Sequence, residues 1–142
     1  MKDILQMKFF PANNDLALLI LRIVCITPMF IKHGIEKIVT FGAMSAHFPD
    51  PIGIGPVASL FCAMLGDSIC TVLMVIGLGT RWAALISFIN LFVAWSFVHH
   101  FQFLGKGADH GELMVLYLGA TLTLLFSGAG KFSIDALLNK QS

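Results

Sequence analysis

A chain of 142 residues offers at most one ordinary domain, and 57% of this one is apolar while only 12% is charged, against about 45–50% and about 25% in soluble domains. With a mean hydropathy of +0.86, the composition is that of a membrane protein. Nine Lys and Arg against eight Asp and Glu leave a net charge of +1, which argues against a nucleic-acid partner because no cationic face is available. Cys25, Cys62 and Cys70 are an odd set in apolar runs without CxxC spacing, which is not a disulfide scaffold.

A hydrocarbon core about 30 Å thick takes around 20 mostly apolar residues in a helix. Segments at about 16–36, 57–78, 81–100 and 110–127 qualify, some only with their flanks. The fold predicted is an all-α, four-transmembrane-helix bundle, antiparallel and up-down, forming a single domain over 1–142. The first span follows Lys2 and Lys8 but contains Arg22 and meets no small-x-small cleavage site, so it reads as a retained helix rather than a signal peptide. Pro28 is expected to bend it. A breaker-rich loop, Phe48-Pro49-Asp50-Pro51-Ile52-Gly53-Ile54-Gly55-Pro56, separates spans one and two. Gly77-Leu78-Gly79-Thr80-Arg81 forces a tight antiparallel turn between spans two and three, with Thr80 as the expected helix cap and Trp82 as an interface marker. The tail from Lys131 to Leu138 reads as a short amphipathic stub on the surface.

Lys2, Lys8, Arg81, Lys131 and Lys140 fall on one side of this topology, and Lys32, Lys37 and Lys106 on the other. That imbalance places both termini in the cytoplasm. All of His33, His47, His99, His100 and His110, with Glu36, Asp50, Asp109 and Glu112, then lie at the outer end.

Arg22 and Asp67 carry the strongest physical signal, since an ionised residue near a helix centre costs about 2.5–3.5 kcal/mol to insert. Counted from the span ends, their depths differ by roughly 7–8 Å, within reach of an ion pair. Such a pair either fixes helix register or serves a site. Arg22, Met29, His33 and Glu36 follow one helical stripe, with Lys37 beside it. Ala83, Ser87, Asn90 and Ala94 form a small-and-polar stripe in span three, where Asn90 reads as helix glue. His99, His100 and Glu112 bracket the outer hairpin and, with His33, are candidates to converge on one polar cavity. HxxxH spacing does not occur on any span, and the one HxxE, His33-Gly34-Ile35-Glu36, offers two ligands at most, so no metal site is assigned. Phe101 and Phe103 are candidate walls of a lipophilic pocket.

The ordered set of landmarks resembles the DoxX family of small four-helix inner-membrane proteins, from about Leu16 to Leu137. They are Leu21-Arg22-Ile23, then His33-Gly34-Ile35-Glu36-Lys37 (similar to the family's HGxxK signature), the Gly77–Arg81 turn and His99. Glu112-Leu113-Met114-Val115-Leu116-Tyr117-Leu118 and Gly128-Ala129-Gly130-Lys131-Phe132-Ser133-Ile134-Asp135 come next. The family pattern carries glutamate where Asp67 stands, so the carboxylate here is one methylene shorter. The resemblance implies a bacterial-type inner-membrane protein linked to redox chemistry, with relatives associated with thiosulfate:quinone oxidoreduction or assembled with enzymes of sulfur or superoxide metabolism.

Three functions compete. In the first, the chain is a quinone-facing oxidoreductase subunit in which Arg22, His33, Asp67 and Glu112 position the head and carry protons, and Lys37, His99 and His100 help to bind it. The sequence has no haem, flavin or iron–sulfur signature, so electrons would come from a partner. The second is a non-catalytic anchor or assembly subunit. The third is a small transporter or proton-conducting module, which at this length would require a homo-oligomer.

Overall fold

The protein's structure, a computed structural model, describes residues 12–101 and 111–140. Among these every regular element is helical. Three helices are long and apolar enough to cross a membrane: α1 (Asn14–Val39), α2 (Pro56–Ile76) and α3 (Thr80–Val98). A single helical turn at Phe41–Met44 follows α1, and a shorter apolar helix, α4 (Gly111–Ser127), and a stub, α5 (Ile134–Asn139), complete the order. The expected spans begin and end within three residues of these helices, except at the first residue expected for span four, His110, which lies outside the described residues with Lys2, Lys8, Phe103, Lys106 and Asp109.

Local chemistry explains the helix ends. The Asn13 carboxamide accepts the Leu16 N–H at 3.0 Å and caps α1. Pro28 does not break α1; a π-helical turn, Arg22–Ile26, precedes it and contains Val24, whose carbonyl a proline four residues on would strike in a regular helix. Gly77, at φ +74°, ends α2 with its N–H on the Leu73 carbonyl. Thr80 is the first residue of α3 rather than its cap: the Asp135 carboxylate accepts the Gly79 and Thr80 N–H groups at 2.7 and 3.0 Å. Asp135 also donates its own N–H to the Gly77 carbonyl at 2.8 Å. The stub α5 is thus docked against the α2–α3 turn while Leu137 and Leu138 stay exposed.

Several polar groups are inside the bundle, beside its apolar core, and many large apolar groups are outside. Arg22, Thr71, Ser87 and Thr121 have no exposed surface, whereas Val24, Leu116 and Phe126 are largely exposed. That is the arrangement lipid selects, because polar groups must find partners within the bundle. Thr71 and Thr121 turn their hydroxyls back onto the carbonyls of Asp67 and Tyr117, at 2.7 and 2.9 Å. α3 lies along α4 and against α2, and α2 against α1. The end bearing the α1–α2 connection is termed distal, and the end bearing Asn14, the Gly77–Gly79 turn and α5 proximal.

Candidate functional site

Gly34 sets the geometry of the site. A methyl group there would lie 2.5 Å from the Asp67 carbonyl and 3.2 Å from the Ser68 Cα, so α1 and α2 touch backbone to backbone at this point. The Ser68 hydroxyl donates to the Gly34 carbonyl at 3.0 Å and pins the crossing. Lys37, one turn further along α1, then meets Asp67: Nζ lies 2.8 Å from Oδ2. Gly66 leaves room for Asn90 of α3, whose amide donates to the other carboxylate oxygen, Oδ1, at 2.8 Å. Ser87, one turn earlier, donates to the Gly66 carbonyl at 2.5 Å. Three helices therefore converge on one buried carboxylate with both oxygens bonded, which is the condition for keeping charge inside a bilayer.

Arg22 does not join them. It lies 12 residues from Gly34, about 18 Å along a helix at 1.5 Å per residue. Its guanidinium donates to the Val75 carbonyl at 3.3 Å and to the Phe132 carbonyl, clamping the last turn of α2 to the segment before α5. The Arg22–Asp67 pair expected from the sequence is thus replaced by Lys37–Asp67. Depth counted from span ends is a poor guide when a glycine crossing sets the register. The stripe expected along α1 is broken at Arg22, while Met29, His33 and Glu36 do line one cavity with Lys37. A π-helical turn holds one residue more than an α-turn, which rotates the next residues by about 100°. Two such turns, Arg22–Ile26 and Phe30–Gly34, separate Arg22 from Lys37. Lys37 is accordingly mostly buried, while Glu36 is exposed, though it too lines that cavity.

The pair stands in the wall of a cavity of about 800 Å³ in the distal half. His33, Lys37, Asp67 and His99 line it together, as do Asn90 and Tyr117. The His33 and Tyr117 rings meet edge to face with centroids 6.2 Å apart. The remaining wall is mainly apolar and includes Met29, Ala63, Leu91 and Met114. Neither Arg22, Glu112 nor His100 lines the cavity. Glu112 is exposed in the first turn of α4, and His100 is exposed in a left-handed conformation at φ +48°. Phe101, expected as a pocket wall, packs instead on Trp95, with centroids 5.1 Å apart.

Asn90, read from sequence as helix glue, does bridge helices, but on the carboxylate and in the cavity wall. Tyr117 and His47 also line the cavity. Tyr117 shares the start of α4 with Glu112 and carries no separate signal in the sequence; His47 is one of the outer histidines.

The arrangement offers cationic, carboxylate, imidazole and phenol groups around a mainly apolar chamber, which suits a ligand with a polar acceptor on a hydrophobic body. Two uncharacterized proteins of Haemophilus influenzae (strain ATCC 51907 / DSM 11121 / KW20 / Rd) are similar to this chain. One is 35% identical over 121 residues, 81% of this chain and 85% of its own length. The other is 31% identical over 132 residues, 90% of this chain and 87% of its own. No solved structure matches the chain significantly. The DoxX family model matches residues 17–100, a stretch that contains Gly34, Lys37, Asp67, Asn90 and His99, and the chain belongs to the DoxX family.

Proposed function

We propose that this chain is a four-span inner-membrane subunit of a redox system, with α4 as the fourth span of an up-down bundle, both termini cytoplasmic, and a quinone head seated in the distal cavity. The observation that carries the reading is Lys37 in the cavity wall. An ammonium has three donors. Asp67 takes one, and the His33 carbonyl at 3.5 Å is within reach of a second, which leaves one for a ligand oxygen. Because Asp67 offsets the charge of Lys37, the pair favours a neutral acceptor such as a ring carbonyl over an anion. The cavity's 800 Å³ falls within the range of about 300–1,000 Å³ typical of small-molecule sites.

In this reading Lys37 binds the carbonyl, and Asp67 and Asn90 hold Lys37 in place. His33, Tyr117 and His99 stand close enough to the chamber to hold or pass a proton. A bound quinone supplies two-electron, two-proton chemistry, and the electrons come from a partner oxidoreductase. Arg22, Glu112 and His100 take no part. The test is saturable binding of ubiquinone or menaquinone to protein in lipid nanodiscs. The double variant Lys37→Met with Asp67→Leu, which leaves neither charge unpaired, should weaken it about ten-fold or more, as removal of one charge-assisted hydrogen bond requires. If neither quinone binds at near-millimolar levels, the reading fails.

One observation favours a second reading, an anchor or assembly subunit: the carboxylate of Asp67 is already fully bonded between α1, α2 and α3. There, Asp67→Ala would lower abundance, while any protein that survives would still support its partner's activity.

A further inference from the structure

The two ends of the cavity differ in kind. Toward the distal rim its lining passes from Asp67 and Asn90 to His47, Ile52 and His99, and His47 and Ile52 are exposed. Toward the proximal end it stops. Ile26, Cys70, Met74, Ala83, Ala84 and Leu124 form a buried cluster, each at most 2% exposed. The hydroxyls between this layer and the cavity already have acceptors: Thr71 the carbonyls of Asp67 and Ser68, Thr121 those of Tyr117 and Leu118, and Ser87 that of Gly66 across the α2–α3 contact. Arg22 Nε and Thr80 Oγ1, buried without a partner among the described residues, lie on its proximal side. From Asp67 to Val75, where Arg22 closes the proximal end, is eight residues, or about 12 Å of helix. A close-packed layer without open polar groups holds no water and carries no proton chain.

We infer that the cavity is a blind vestibule, in which water, protons and small polar solutes reach the Lys37–Asp67 pair from the distal face and not from the proximal face. The inference goes beyond the ligand assigned above and holds whatever head group the cavity takes. Any proton taken up or released at the site is exchanged with the distal compartment, and the bundle as folded does not conduct.

Native cysteines sample the profile. Cys62 lines the vestibule, and Cys70 lies in the packed layer. A chain keeping only Cys62 (Cys25→Ser, Cys70→Ala) and one keeping only Cys70 (Cys25→Ser, Cys62→Ser) would be treated with a membrane-impermeant maleimide. Sealed vesicles of both orientations would be used, assigned by protease access to a C-terminal tag. Since only a hydrated thiolate reacts, Cys62 should be modified at least about ten-fold faster from the distal side, and Cys70 from neither. A cysteine-free chain carrying Ala94→Cys, on the α3 wall, provides a second reporter with the same expected sidedness. Reconstituted wild-type protein should pass no more protons than empty liposomes under an imposed potential. Equal labelling of Cys62 from both sides, no labelling from either, labelling of Cys70 from the proximal side, or proton flux would each overturn the vestibule. Correct labelling without quinone binding would remove the ligand assignment and leave the vestibule standing.

Discussion

Lys37 and Asp67 stand 2.8 Å apart, on helices that touch three residues away at Gly34. Neither group is at home in hydrocarbon, and each is tolerable because of the other. Breaking a buried pair by removing one partner costs about 3–5 kcal/mol, whereas replacing both with apolar residues of similar volume is often neutral. Lys37→Met and Asp67→Leu alone should therefore each lose much of the folded protein in detergent, as measured by thermal unfolding and gel filtration. The double variant should recover the fold but not quinone binding. A double variant that binds as wild type would separate the pair from the site.

The same crossing predicts a sharp contrast among glycines. Gly34→Ala pushes a methyl group into the backbone of Asp67 and Ser68, while Gly119→Ala, in the middle of α4, meets nothing within 4 Å. Overpacking of the first kind costs about 1–3 kcal/mol. The second removes a flexible residue from a helix and should be neutral or stabilising by up to about 1 kcal/mol. Unfolding midpoints of the two variants, measured side by side in one detergent, check the sign of each.

Hydropathy made the helices legible because it reports length and apolar content, the two properties a bilayer constrains most. His33, Asp67, Lys37 and His99 were legible as site candidates because ionisable residues in or beside such helices stand out. Rotation about the helix axis was not. The π-helical turns at Arg22–Ile26 and Phe30–Gly34 reset the phase of α1, and nothing in residue spacing announces an inserted residue. Nor could spacing show that Phe132 would fold back across more than a hundred positions to receive Arg22. Glu112 fell away for a related reason: its position opens α4, but its side faces outward.

Arg22 is therefore expected to act on the proximal end. Substituting methionine leaves the carbonyls of Val75 and Phe132 without their donor, at a cost of about 1–3 kcal/mol for buried groups. The loss should be local. Hydrogen exchange should rise first in the 128–139 segment and the last turn of α2, ahead of the α1–α2 crossing at Gly34. Uniform loosening of all helices would argue instead that Arg22 supports the bundle as a whole.

Acid should loosen the two ends through two carboxylates outside the spans. Hydrogen bonding from the Ser59 hydroxyl, at 2.8 Å, together with the N–H groups of Gly55 and Ile54, outweighs desolvation and holds the Asp50 carboxyl below its ordinary value of 3.8. At Asp135, burial pulls the other way, but the N–H groups of Thr80 and Gly79 and the charge of Arg22 together leave its carboxyl below 3.8 as well. A carboxyl depressed on folding contributes stability that is present in full above its unfolded value and is lost as pH falls through the folded one. Stability should accordingly be insensitive to these two groups from pH 7 down to about 5 and decline below about 4. Asp135→Asn should lower the unfolding midpoint at pH 7, where the ionised carboxylate caps α3, and should flatten the decline below pH 4. Asp50→Asn should do the same for the distal loop, read by proteolysis at Ile52–Gly55. If either variant kept the full acid-induced decline, its carboxylate would not be the group responsible.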